Sequence, residues 1–422
     1  MATTPQNLEA RAGTASAITR AGVGVSERAS SREAGAEAAR MALASAGLEA
    51  CDLALVFCTG KHDPHAFHAG VRSVMPAPAR IIGGYTIGVI TNEFLGYEGL
   101  QVAVAALKLG TAVESELFLQ EGLNAGETEA GAVLGARLRA AGAGKDADLL
   151  LLYDMVRGEG FSFNMATPLL RGLRGTIGAW PRTAGVGMLG DAVANPTHQF
   201  FDDRVLDQSA IALLLRGGVR MDTTIMHGCK PSGTYHTVTR AEHNAVLEID
   251  GRPALDAVKD IVGSDLDQEL EEYPFFLTLG ENHGDKWDEF REENYSNHIC
   301  AAIDEDRRAL IMFEPNLTAG TEIQLMRRTM EFEYVRERTQ QVLDGLEGRR
   351  PFFAFYIDCA IRASAFCGSD GEEAAEVQRA LGEAGIPLLG IYTGTEIAEI
   401  RGEPRPLDYT GVLCVFSEEV ER

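Results

Sequence analysis

Long apolar runs are missing from this chain of 422 residues. No stretch approaches the roughly 18 consecutive apolar residues of a membrane-crossing helix, and residues 1–24 lack a basic segment followed by an apolar core. Neither membrane insertion nor an export signal is therefore expected. Cysteine is sparse: the seven present are an odd number set mostly inside apolar runs such as 53–58 and 413–416. That reads as reduced core thiols rather than a disulfide framework. Basic charge is in short supply, with 38 Lys and Arg against 62 Asp and Glu and a formal net charge of -24. So acidic a surface repels phosphate backbones and anionic headgroups, which argues against nucleic acid and membrane partners; the expected location is the cytoplasm. The rest is ordinary. Hydrophobic residues make up 45% and charged residues 24%, as in globular proteins, and the length suits two domains or one with an internal duplication.

Local signals organise much of the chain. Ser30 with Glu33 forms a capping box ahead of an Ala-rich helix that stops at Gly47. The short apolar run 53–59 is a buried strand. A polar segment follows, then a short helix to Val74, an apolar run from Ala79, and the glycine-rich end Gly83-Gly84-Tyr85-Thr86-Ile87-Gly88. The unit recurs at 351–394, ending in Gly390-Ile391-Tyr392-Thr393-Gly394, and more weakly at 148–187, ending in Thr183-Ala184-Gly185-Val186-Gly187. Repetition of this kind defines architecture, and glycines at matched strand ends allow close backbone approach to a ligand or another strand. Helices are predicted at 127–141, 168–173, 253–262, 329–346 and 372–384. Strands at 100–107, 205–216, 220–227 and 237–249 read as antiparallel sheet, with hairpin turns at Gly217-Gly218 and Asp250-Gly251.

These residues resemble the FIST family, bacterial intracellular sensory proteins built of an N-terminal and a C-terminal module. The likeness rests on Asp52-Leu53-Ala54-Leu55-Val56-Phe57, on Gly83 to Gly88, and on Gly228-Cys229-Lys230-Pro231-Ser232-Gly233. In the second half it rests on Asp358-Cys359-Ala360-Ile361-Arg362 and Gly390-Ile391-Tyr392-Thr393-Gly394-Thr395-Glu396. The resemblance implies binding of a small ligand, an amino acid in many members and haem in a nitric-oxide-sensing branch, and signalling to a histidine kinase, chemoreceptor or cyclic-nucleotide enzyme. The chain departs from the family pattern at Thr395, which separates Gly394 from Glu396, and at Ala360-Ile361 before Arg362.

The resulting expectation is an α/β protein of two modules, with mixed, largely antiparallel sheets flanked by helices and internal strand-helix-strand repeats. An arm at 1–24 precedes modules at 25–262 and 263–422, the break falling near the acidic stretch 265–272. The expected ligand-binding residues are Cys359, Arg362, Tyr392, Thr393, Glu396, Tyr85 and Thr86. The Arg362 fork suits a carboxylate, with a salt bridge to Asp358 or Glu396 as its plainer role, and solvent exposure is the plainer fate of Glu396. Expected function is sensing of an amino acid or small carboxylate, passed to a separate partner such as a histidine kinase, with no cofactor and no catalysis. Two alternatives stay open. In one, His62 and His65 hold haem in a nitric-oxide sensor; otherwise the segment 62–68 is a polar loop on a pocket rim. In the other, Cys359 is an enzymic nucleophile, which requires a base that the nine histidines do not nominate. Met326-Arg327-Arg328 could bring two guanidiniums beside the strand ends. Gly185-Val186-Gly187-Met188-Leu189-Gly190 is rejected as a dinucleotide loop because Pro196 comes too soon for the required helix. The string 280–289 is read as a solvated turn leading into a helix.

Overall fold

The computed structural model describes residues 18–158, 162–262, 276–329 and 331–419. The acidic stretch 265–272, the module break after 262 and most of the arm at 1–24 lie outside them.

Three equivalent units carry the architecture. Each has a parallel pair of central strands: Leu53–Thr59 with Arg80–Thr86, Asp148–Asp154 with Arg182–Met188, and Arg350–Cys359 with Leu388–Thr393. The connection of each pair contains a helix: Pro64–Val74, Ala166–Ile177 and Glu373–Glu383. Parallel neighbours need such a crossover, so the repeat seen in sequence is a strand-helix-strand repeat in space. Each pair anchors a six-stranded sheet.

Side chains alternate along the central strands, as the period of two requires. Leu53, Leu55 and Phe57, Leu150 and Leu152, and Phe353, Phe355 and Ile357 all point into one core shared by the three sheets. The intervening residues, among them Val56, Leu151 and Tyr356, face outward beneath helices. In two units those helices meet through glycines. A Cβ on Gly70 would stand 2.1 Å from the Arg32 carbonyl, and one on Gly172 would stand 2.0 Å from that of Thr128.

The three units exchange hairpins cyclically. After Arg80–Thr86 the chain leaves its own sheet, and Gly88–Thr91 pairs with Leu388–Thr393 of the third unit. Gln199–Phe201 of the second unit pairs with Arg80–Thr86 of the first, and Thr395–Ile400 of the third pairs with Arg182–Met188 of the second. All three crossings follow the C-terminal end of a parallel strand, so they gather at one end of the molecule.

A barrel covers that end. Strands Cys229–Glu242, Glu322–Arg328, Thr278–Asn282, Tyr295–Asp304, Ala309–Met312 and Ala245–Ile249 pair in this order, and the last pairs back with the first. Closure leaves no edge to the ring. The barrel lies in sequence between Val219–Met226 and helix Glu333–Asp344 of the third unit.

Several expectations change. Gly217-Gly218 is not a hairpin turn: Ser209–Gly217 pairs within the second sheet and Val219–Met226 with Gly411–Glu418 of the third, so these glycines pass the chain between sheets. Asp250-Gly251 does turn a tight hairpin, with Ile249 opposite Arg252. The stretch 280–289 begins as strand Thr278–Asn282 and leads into no helix before the short 3-10 turn Glu292–Asn294. Among the described residues no helix is long and apolar enough to cross a membrane.

Candidate functional site

The strand ends and the barrel enclose a cavity of about 430 Å³. Ile87 from the first unit, Leu189 from the second, Thr393 and Gly394 from the third, and Met326 and Arg328 from the barrel all line it. Its walls are mainly apolar, as is usual for sites that take small molecules. Besides Thr278 and Thr393, three places on the wall are polar.

The first is Arg328, at the end of its barrel strand. One guanidinium nitrogen donates to Glu373 Oε1 at 3.1 Å, and the guanidinium lies over the Tyr409 ring at 4.6 Å from the centroid. The second is Asp408, which accepts from the Ile299 amide at 2.9 Å. Burial, with the nearby Glu314 charge, pushes its carboxyl up to about 8, so at neutral pH it is largely un-ionised and presents an O–H. Beside it Tyr409 holds a left-handed backbone with φ 53, uncommon for an aromatic residue and a form of stored strain found at functional sites. Its hydroxyl is buried without a partner. The third is thiol: Cys229, Cys359 and Cys367 all reach the lining.

The sequence-predicted residues divide sharply. Cys359 and Thr393 line the cavity; Arg362, Tyr392, Glu396, Tyr85 and Thr86 do not. Arg362 is fully buried, donating through Nε to Asp358 at 2.7 Å and through Nη2 to Glu373. The plainer salt-bridge expectation thus holds at Asp358, with Glu373 rather than Glu396 as the second partner. Glu396 is itself 0% exposed, contrary to the solvent-exposed reading; the Thr410 amide donates to one of its oxygens at 3.3 Å, and the other has no partner. Burial above all, then Asp358 and Asp408, drives its carboxyl well above the usual range. Tyr392 donates to Glu372 at 3.2 Å. Tyr85 donates to the His62 carbonyl at 2.6 Å, and Thr86 to the Tyr392 carbonyl at 2.7 Å. These side chains brace the crossings instead of facing the cavity.

The segment 62–68 is not a rim loop. Asp63 caps and Pro64 opens helix Pro64–Val74. His62 is buried with both ring nitrogens engaged, by Ser31 Oγ and the Leu100 carbonyl, while His65 is exposed. Neither reaches the cavity, so their placement lends no support to a haem site. Cys359 is held as a thiol: burial first, then the neighbouring acids Glu396 and Asp408, push it well above its ordinary value. That opposes what a nucleophilic thiol needs.

Sequence reasoning missed Asp408 and Tyr409. The only signal is structural: Glu98, Gln208 and Tyr409, with φ 59, 46 and 53, occupy matching turns in the three units, and three different residue types there leave no motif. Arg328 was within reach, as one of the pair noted beside the strand ends.

Family models cover most of this architecture. The FIST N domain matches residues 52–252 and the FIST C domain residues 254–399. The chain belongs to the FIST family. FIST domains are associated with sensory signalling. This FIST protein is 27% identical over 258 residues to uncharacterized proteins of Mycobacterium bovis and Mycobacterium tuberculosis, covering 57% of this chain and 62% of theirs. It therefore spans about three-fifths of the length of the curated relatives it matches. Among solved structures, a cyanuric acid hydrolase from A. caulinodans overlaps 50% of this chain and 72% of its own at 13% identity and TM-score 0.23. A second cyanuric acid hydrolase overlaps 95% of this chain and 100% of its own at 9% identity and TM-score 0.34.

Proposed function

We propose that this FIST protein is a sensor that takes a small carboxylate with a mainly apolar body, such as an aliphatic amino acid, into the central cavity. It hands that occupancy to a separate signalling partner such as a histidine kinase. The observation that carries the reading is Arg328: a guanidinium with one carboxylate partner, set in a largely apolar wall that all three units and the barrel build together. A carboxylate suits the guanidinium fork, and Asp408, being un-ionised, does not repel it. A ligand filling the space touches elements from every part of the fold, so its binding free energy favours one relative arrangement of barrel and sheets over others. That differential is what a partner reads.

Thermal melting of the full chain with leucine and with 4-methyl-2-oxopentanoate tests this. A ligand at 100-fold its Kd stabilises by about 2.7 kcal/mol. Saturable stabilisation of the wild type that is lost in Arg328→Met supports the reading. No response to either probe, or an undiminished response in the variant, would sink it.

A further inference from the structure

A second cleft, of about 350 Å³, lies between helix Ala166–Ile177, the barrel and strand Glu403–Leu407. It shares no lining residue with the central cavity, and its character is opposite. Arg171, Arg174 and Arg405 converge on it, with Thr167, Glu281 and Ser296 among the polar groups around them. In a chain with a formal charge of -24, three guanidiniums about one hollow are a local reversal of sign. Clefts of one charge concentrate the opposite charge.

The positive charge there is incompletely spent. Arg174 and Arg405 share a single carboxylate, Glu403, at 2.6 and 3.4 Å. Arg171 is exposed and has neither an ion pair nor a hydrogen bond among the described residues. One donor of the lining, Arg405 Nε, is buried without a partner. A buried donor left unsatisfied is destabilising, and an acceptor brought into the cleft could satisfy it after a small side-chain adjustment.

Glu281 limits what fits. Its carboxylate lies 3.7 Å from Nε2 of both His283 and His298, and Ser296 Oγ bridges the same two nitrogens at 2.8 and 3.1 Å. An anionic group must keep to the arginine side; a ligand's hydroxyls can face Glu281.

The geometry points to a second ligand site, one that takes a small oxyanion, phosphate or carboxylate, clasped by Arg171, Arg174 and Arg405. It is independent of the central cavity and of the reading proposed for it.

Melting of the full chain against inorganic phosphate and against succinate, at ionic strength held constant with chloride, tests the site. At least one anion should stabilise the wild type saturably, and the stronger of the two identifies the preferred chemistry. Arg171→Ala, at an exposed side chain with no ion pair or hydrogen bond among the described residues to lose, should weaken that response at least tenfold, whereas Arg328→Met should leave it unchanged. The assignment is overturned if neither anion gives a saturable response or Arg171→Ala responds like the wild type. It is equally overturned if Arg328→Met abolishes the effect, which would move the anion to the central cavity.

Discussion

The Arg328 guanidinium stands 4.6 Å from the centre of the Tyr409 ring, and that of Arg362 stands 5.6 Å from the same centre. Arg328 belongs to the barrel, whereas Arg362 and Tyr409 belong to the third unit. One aromatic ring therefore joins the two bodies that enclose the cavity, and both guanidiniums also reach Glu373. Cation–π contacts of this kind are worth about 0.5–2 kcal/mol each, more when desolvated.

The two parts of Tyr409 should separate experimentally. Its hydroxyl has no partner, so Tyr409→Phe should change unfolding free energy by less than about 1 kcal/mol. Tyr409→Ala removes the ring beneath both guanidiniums and should cost about 3–5 kcal/mol. Urea denaturation of the two variants measures both values; equal losses would show that the ring is not what matters.

Arg362 should be intolerant of truncation. Asp358 and Glu373 are each 1% exposed at the side chain, and removing the cation they share leaves buried Asp358 without its partner and Glu373 with Arg328 alone. Arg362→Ala should destabilise by about 3–5 kcal/mol. Adding Glu373→Gln should recover part of this. A loss below about 1 kcal/mol by chemical denaturation would contradict the burial of this network.

Stability should fall as pH rises above neutrality. Burial pushes Asp408 up to about 8 and Glu314 up to about 7, from ordinary values of 3.8 and 4.5. Between those limits the folded chain holds protons that the unfolded chain has released, so unfolding becomes easier as pH increases through the window. Buried histidines such as His283, lowered to about 4 by desolvation, work the other way but only below about 6.5, where the unfolded imidazole begins to charge. The melting temperature should therefore drop between pH 6.5 and 8.5. Asp408→Asn, which keeps an acceptor for Ile299, should flatten that drop; an unchanged slope would place the titration elsewhere.

Thiol labelling should follow burial. Cys367 is half-buried, whereas Cys359 is buried beside the acids Glu396 and Asp408. Iodoacetamide at pH 7.5, followed by peptide mass spectrometry, should modify Cys367 well before Cys359. Faster modification of Cys359 would revive its role as a nucleophile.

Much of the fold was legible because near neighbours decide it. The Ser30 side-chain oxygen accepts from the Glu33 amide, as an N-cap should, helices at 127–141 and 372–384 stand within a residue or two of Glu127–Ala140 and Glu373–Glu383, and the strand-helix-strand repeats are where their glycine-ended strands put them. The site was legible only in part. Strand ends with glycine pointed to the end of the molecule where the cavity lies, and Cys359 and Thr393 are on its wall. Tyr392 and Glu396 share those strand ends but face away, because alternate residues of a strand point to opposite sides, and Arg362, on the 3-10 turn Ala360–Arg362, is held by Asp358 and Glu373 instead.

The sequence by itself determined the elements, their periodicity, the threefold recurrence and the chemistry available at each strand end. All of that follows from residues within a helical turn or a strand of one another. Only the tertiary structure decided which sheet receives each hairpin, that Gly217-Gly218 separates sheets instead of turning one, and that a barrel strand delivers Arg328 to Tyr409. Those choices are made by residues far apart in the chain, such as Ile90 beside Gly390, and what selects among them is the burial of one apolar core common to three sheets.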